Sequence, residues 1–429
     1  MAKNLIVHHP QTGQPHVERA VVIGGSIAGL TVAQVLAQHG AKVTVIERDR
    51  LPDPPEFRRG APQALHAHLL LPLGQAILEQ HFPGALAELT AGGATIVSSE
   101  EEQASSPDGA WYNDVISLMC SRPLLEAVIY RRVAANPKIE IIQEQEVTGL
   151  AVDRRAKQVT GIYLRSQPAA QGAQTKLAAD LVVDTSGRGS RAPHWLAGLG
   201  YTPPRETTVS AFSGYTSRIY RRPANFDESW KMMRIRRIPP NGVRGGMIVP
   251  LEGERWQVTL AGMSRDYPPG DEAGFLAFAQ SLPSRQLYEA IKEAEPLTKL
   301  YSFRGTQNRL RHYEKLPRYL EGFLVCGDAV CTLSPVHAMG MTAALVGSQT
   351  LAGCLLEPGR TNIAGLARRF QRQLRQDLND AWQKVTGSDR SWPASEVAEE
   401  IAPAQYPLPR GQIIPVRSPA SYSLTYSQR

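Results

Sequence analysis

Long apolar runs are missing from this chain. No stretch of about 18 uncharged apolar residues occurs in its 429, so no membrane-spanning helix is expected. The first ten residues, Met-Ala-Lys-Asn-Leu-Ile-Val-His-His-Pro, lack the apolar core of a secretion signal. Cysteine is sparse. Cys120, Cys326, Cys331 and Cys354 show neither metal spacing nor a disulfide framework, so reduced thiols in a cytoplasm are expected, with no metal. No internal repeat is visible. No helix-turn-helix, zinc-finger or aromatic RNA-binding signature accompanies the net charge of +7, and no nucleic-acid partner is expected. The arginine clusters Arg218–Arg222 and Arg234–Arg237 read first as solvated surface and second as a peripheral contact with anionic lipid. Oligomeric state is not legible.

What is present begins at Val21. The run Val21–Ile23 is β-branched and favours a buried strand. Gly24-Gly25-Ser26-Ile27-Ala28-Gly29 follows, then a helical stretch stopped by Gly40. Glycines at a strand-to-helix turn let backbone N–H groups approach a pyrophosphate, and the helix N-terminus favours that charge. Val43–Ile46 is a second strand, so Glu47 stands at its tip, where a carboxylate accepts hydrogen bonds from a ribose. Asp49 is the alternative acceptor. The spacing is G-x-S-x-x-G, with Ser26 in place of the middle glycine. An ordinary strand-to-helix turn explains glycines alone. The full strand-turn-helix-strand-Glu order points to a dinucleotide.

Further along, Leu51–Pro62 is rich in proline and arginine and reads as a loop. Gln75–Gln80 and Ala85–Leu89 read as helical, and Glu100–Gly109 as an exposed excursion. Ser121 caps a helix with Pro123 in its first turn. Ile139–Ile142, Val147–Val152, Val159–Leu164 and Leu181–Val183 read as strands. Val209–Tyr220 and Arg255–Ala261 alternate like strands with one solvated face. Glu272–Gln280, Arg285–Glu295 and Ala343–Leu356 read as helices, and Ala402–Arg429 as an extended or disordered tail. Phe323–Cys326 is a strand ending in Gly327-Asp328, with a second helix start near Gly340. Two ligand-binding strand tips some 300 residues apart suit one long ligand such as FAD.

Here the chain resembles the flavoprotein monooxygenases of the p-hydroxybenzoate hydroxylase fold, nearest a bacterial branch that includes polyether epoxidases. The resemblance spans about residues 18–395. It rests on Gly24–Gly29 with Glu47, Arg59-Gly-Ala-Pro-Gln63 with His66 and His68, and Ser121–Leu125. It continues through Asp184–Arg191, Gly214-Tyr215, Tyr220–Pro223 and Gly327–Thr342. It implies an α/β Rossmann-like FAD-binding domain of glutathione-reductase type, formed by 18–90, 115–204 and 300–360. An inserted antiparallel-sheet (α+β) substrate domain would take 91–114 and 205–299. A helical region, 361–401, and the tail 402–429 would follow.

By the same resemblance, Glu47 binds the adenosine ribose and Arg122 touches the pyrophosphate or ribityl chain. Asp328 with Gly327 holds the ribityl or pyrophosphate region, and Gly340 and Met341 set backbone N–H groups against the flavin pyrimidine. Arg48, Arg59, Val147 and Pro335 complete the implied cofactor set. His66, His337 and Met339 are candidates beside the ring, and Phe212, Tyr215 and Met247 candidates for the substrate pocket. His66 and His68 would share a face if they lay in a strand.

The implied activity is insertion of one oxygen atom from O2 into a hydrophobic small molecule, by epoxidation or hydroxylation, through a flavin hydroperoxide. NADPH or NADH would supply electrons directly or through a reductase. An FAD-dependent reductase or dehydrogenase of the geranylgeranyl-reductase type remains open, as does a non-catalytic flavin-binding protein. Two departures keep these rivals. Pro193 stands where the middle motif of aromatic hydroxylases carries an arginine. Pro335-Val-His-Ala-Met-Gly-Met341 replaces the branch's Pro-x-Tyr-Gly-Gln-Gly-Met.

Overall fold

A computed structural model describes residues 17–51, 56–58, 60–98, 102–105, 117–166, 174–224, 226, 230–356 and 362–400. Its framework is a five-stranded parallel sheet in the order Phe323–Val325, Leu181–Asp184, Arg19–Ile23, Lys42–Ile46, Ile139–Ile142. These short strands are rich in Val, Ile and Leu because the parallel sheet is covered on both faces. Helices Ile27–Gln38 and Gly340–Leu355 pack on each other, and their apolar side chains join those of the strands in the principal core. The carboxyl ends of the strands therefore converge: Ile23, Ile46, Asp184 and Val325 all feed loops at one edge, where open α/β sheets bind ligands.

Several expected elements form with small shifts in their bounds. Helices span Pro72–His81 and Ala85–Ala91. Ser121 caps Arg122–Ala134, its Oγ accepting from Leu124 N at 3.2 Å. A three-stranded antiparallel sheet comprises Gln145–Asp153, Gln158–Ser166 and Thr175–Ala178.

A six-stranded sheet roofs the open edge. Its order is Tyr301–Phe303, Gly214–Arg221, Arg255–Gly262, Arg244–Leu251, Met232–Ile235, Glu102–Ser105. It is antiparallel except for its edge strand Glu102–Ser105, which runs parallel to Met232–Ile235. The alternation expected for these strands is present, but neither face is simply solvated. Trp256, Val258, Leu260 and Ile248 pack under helices Glu272–Gln280 and Gln286–Ile291. Tyr215, Thr259, Ala261 and Met247 face the cleft below.

The sheets also cross the boundaries expected at 205 and 299. Tyr301–Phe303 belongs to the roof. Glu206–Ser210 instead joins a four-stranded sheet with Cys331–Thr332, Asn308–Arg311 and Glu396–Glu400. Ser210 and Gly214 are separated by a turn in which Phe212 adopts φ +48°, so the run Val209–Tyr220 breaks into strands of different sheets. The C-terminal region holds helices Leu366–Asp377 and Asn379–Arg390, then the strand Glu396–Glu400 inside the span expected to be helical. The tail lies outside the described residues. No helix among the described residues is long and apolar enough to cross a membrane.

Candidate functional site

Between parallel sheet and roof runs a continuous cleft of about 4090 Å³. Pockets for one drug-sized ligand measure about 300–1,000 Å³, so this one has room for a long cofactor and a second molecule. One end is built on the first strand-turn-helix. Gly24 has φ +105°, a conformation that suits glycine. A Cβ on Gly29 would sit 1.7 Å from Gly24 O, so only glycine lets the helix approach the strand this closely. Glu47 is buried and accepts from Gly25 N at 2.7 Å and from Asp49 N at 2.9 Å.

Beside it lies a charge cluster that sequence reasoning missed. Arg58 approaches Glu47 at 3.7 Å, Asp49 at 3.3 Å and Glu126 at 3.2 Å. Glu126 also pairs with Arg122 at 2.8 Å, and Arg122 donates to Ser26 Oγ at 2.9 Å. Burial alone would raise the Glu126 carboxyl, but Arg122 and Arg58 hold it down to about 2. Arg59 lies outside the described residues. Arg48 is exposed at the cleft mouth, and Val147 lines the wall. Glu126 was detectable in principle, four residues after Arg122 on one helix face. Arg58 sits in an aperiodic loop and gave no such signal.

Also on the cleft wall, Asp328 follows the strand Phe323–Val325. Its carboxylate makes no hydrogen bond or ion pair among the described residues; burial raises its pKa, opposed by the charges of Arg188, Arg122 and Arg309. Gly327 has φ +64°, and a Cβ there would lie 3.0 Å from that of Ala28, so the loop rides close over the first helix. Asp184, by contrast, is a structural group. It is fully buried, accepts from Ser186 N and Ser190 Oγ, and shapes the turn carrying Arg188.

At the far end the helix Gly340–Leu355 starts without a side-chain cap, and its first N–H groups have no intrahelical partner. Pro335, Gly340, Met341 and Met339 line the cleft there. Ala338 has φ +54° and packs with Met232, Met247 and Val249 of the roof. His337 Nε2 lies 2.8 Å from Asp389 Oδ1.

His66 is not in a strand but follows a short 3-10 turn. Its Nδ1 meets Ser217 Oγ at 2.8 Å and its ring stands edge-on to Tyr215 at 4.5 Å. His68 turns back to bond His66 O. Burial pushes the His66 imidazole down to about 3, and burial with Arg122 nearby pushes His68 down to about 4, so both are neutral at pH 7. Tyr215 and Met247 line the cleft, but Phe212 does not: Arg265 stacks on its ring at 3.5 Å in the turn outside.

The description "FAD binding domain" fits residues 18–361, most of the chain. The chain belongs to this FAD-binding family. Among curated relatives, it is 32% identical over 342 residues to Protein Rv3254 of Mycobacterium tuberculosis, covering 77% of this chain and 71% of that one. It is 24% identical to 6-methylpretetramide 4-monooxygenase of Streptomyces rimosus over 76% of this chain and 72% of that one. Among solved structures, a flavoprotein/dehydrogenase from Cytophaga hutchinsonii superposes with a TM-score of 0.63 at 16% identity, covering 86% of each chain. 2-Methyl-3-hydroxypyridine-5-carboxylic acid oxygenase gives 0.59 at 20% identity, covering 87% and 91%. These last two share the fold. The protein is thus a member of an FAD-binding family, with sequence similarity to a monooxygenase.

The residues fit FAD. The Gly29 cradle admits a pyrophosphate that any larger residue would exclude by moving the helix. The Asp328 carboxylate is an acceptor waiting for hydroxyl donors, and the helix start at Gly340 offers N–H groups to a developing negative charge. Glu47, Arg122, Asp328 and Gly340 all line this same cleft.

Proposed function

We propose that the protein is a monooxygenase that places one atom of O2 into a hydrophobic small molecule by hydroxylation or epoxidation. The observation that carries this reading is the size of the cleft, about 4090 Å³, which leaves room for a second molecule beside a long cofactor. Its lining includes Tyr215, Met247, Thr259 and Ala261 of the roof together with Ala338 and Met339 of the loop before Gly340. Bound FAD would supply the oxygen-activating chemistry; the chain supplies everything else.

The apolar roof excludes water from the reacting face and binds substrate by burial. The N–H groups at Gly340 and Met341 favour negative charge on the adjacent ring. Neutral His66 ties the loop below to the roof through Ser217, and neutral His68 bonds back to His66 O, so neither adds charge to the pocket.

NADPH or NADH is the proposed electron donor. Arg188, Arg191 and Arg309 line the cleft beside the middle motif and suit a phosphate-bearing donor, whether bound directly or reached through a reductase. The four buried cysteines are in keeping with a cytoplasmic location.

The test is anaerobic reduction of the FAD-loaded protein by NADPH and by NADH. Exposure to ¹⁸O2 with a panel of polycyclic phenols and polyunsaturated alkenes follows. One heavy oxygen atom in an organic product is expected. A protein that takes up no FAD, or one that sends all oxygen to hydrogen peroxide with every panel member, overturns the reading.

A further inference from the structure

The C-terminal helix Asn379–Arg390 forms one wall of the cleft, through Lys384, Gly387 and Ser388. Nothing in the sequence argument gave this helix a role at the site. It carries Asp389, whose side chain is buried, at 1% exposure, against the loop that departs from the related branch. One Asp389 oxygen faces His337 Nε2 at 2.8 Å, and the other accepts from Asn308 Nδ2 at 2.6 Å. Asn308 is oriented by its own bonds: Nδ2 also donates to Val209 O at 3.2 Å, and Oδ1 accepts from Ser334 N at 2.6 Å.

An ionised carboxylate offers only acceptor sites, so the proton between this pair sits on His337 Nε2. In the neutral imidazole that leaves Nδ1 with a lone pair. Nδ1 has no hydrogen bond among the described residues, and the ring lines the cleft. An acid-oriented imidazole with its other nitrogen open to a ligand is the arrangement of a general base.

We propose that His337, held by Asp389, accepts the proton of a hydroxyl on the bound substrate, so that the substrate class is an ionisable hydroxyl compound, a phenol or enol. The substrate O–H bond breaks and the Nδ1–H bond forms. The electron pair stays on the substrate oxygen, and the imidazolium is balanced by the Asp389 carboxylate. The resulting oxyanion makes the adjacent carbon electron-rich, as oxygen transfer to carbon requires. His337 is thus a catalytic residue; Asp389 and Asn308 are positioning residues. The proposal rests on the monooxygenase reading for its consequence but is tested without turnover.

The probe is alizarin, a dihydroxyanthraquinone whose visible band moves to the red of flavin absorption on ionisation. FAD-loaded protein is titrated with it at a pH where the free dye is neutral. The wild type is expected to hold the dye with a phenolate band at least tenfold stronger than in His337→Gln. The glutamine variant keeps an N–H for Asp389 and so preserves a merely structural tie, which its FAD content and melting temperature report. Asp389→Asn should give an intermediate band. A phenolate band that persists in His337→Gln overturns the proposal, as does a wild type without such a band, whether the dye binds neutral or not at all. A phenolate band without ¹⁸O incorporation keeps the couple and sinks the monooxygenase reading; ¹⁸O incorporation without the band does the reverse.

Discussion

The two ends of the cleft differ in how completely the protein satisfies itself. At the Gly24–Gly29 end, Glu47, Asp49 and Glu126 are matched against Arg58, Arg122, Ser26 and backbone N–H groups. At the Asp328–Gly340 end a carboxylate and a helix start line the cleft without a partner for the carboxylate among the described residues, and a buried carboxylate, Asp389, serves a histidine on the cleft wall. A self-satisfied end is rigid before any ligand arrives. An end with unmet donors and acceptors keeps its bonding capacity for the ligand. The difference assigns anchoring to the first and chemistry to the second.

The hardest blow to the rigid end is Gly29→Ala. Its Cβ would meet Gly24 O at 1.7 Å, so the helix must leave the strand. A loss above about 4 kcal/mol is expected, read as insoluble or flavin-free protein. Near-native melting and full FAD content would show that the cradle gives more than its packing suggests.

Glu126→Gln comes next. It strips a buried partner from Arg58 and Arg122 and should cost about 3 kcal/mol in denaturant unfolding at pH 7. The sign with pH is definite. The folded pKa, about 2, is below the ordinary 4.5, so the carboxylate's stabilisation is complete above pH 4.5 and lost as pH falls towards 2. The variant should therefore show a flatter stability profile across that window. An unchanged slope there would remove Glu126 from the account.

At the open end, Asp328→Ala should leave folding intact, because the carboxylate makes no hydrogen bond or ion pair among the described residues. FAD should bind about tenfold more weakly, roughly 1.4 kcal/mol, in a fluorescence titration. A fall in melting temperature of the flavin-free protein would contradict the contrast itself.

The smallest effect belongs to Ala338→Gly. Relief of the left-handed backbone at φ +54° is set against the chain entropy of glycine, and apo stability should change by less than about 1 kcal/mol. A larger gain in calorimetry would mean that the loop stores more strain than its conformation implies.

Much of the rigid end was legible because its signals are local. A β-branched run, a glycine turn and a carboxylate at the next strand tip need only one short window of sequence. The Ser121 cap and the Gly340 helix start were legible for the same reason. The charge cluster was not, since Arg58 lies in a proline-rich loop without periodicity and its partners come from three segments. The pairing of His337 with Asp389 spans 52 positions and two elements, and no spacing rule reaches that far. Phe212 misled because alternation continues through it in the sequence while its positive φ turns the chain away from the cleft. The two faces of the roof were hidden for a related reason. A strand pattern shows that one face differs from the other but not whether water, a helix or a ligand covers it.

The strand order of the parallel sheet has a consequence for how the protein is made. Arg19–Ile23 sits at its centre, but Phe323–Val325, which precedes Asp328, closes one edge. A ribosome adding about 5–20 residues per second needs roughly 15–60 s to travel from one to the other. During that interval the glycine turn and Glu47 exist without the far half of their cleft. Nascent chains should therefore capture flavin late, after the roof has been synthesised, and free FAD in the cell would act on the last steps of maturation rather than on the first.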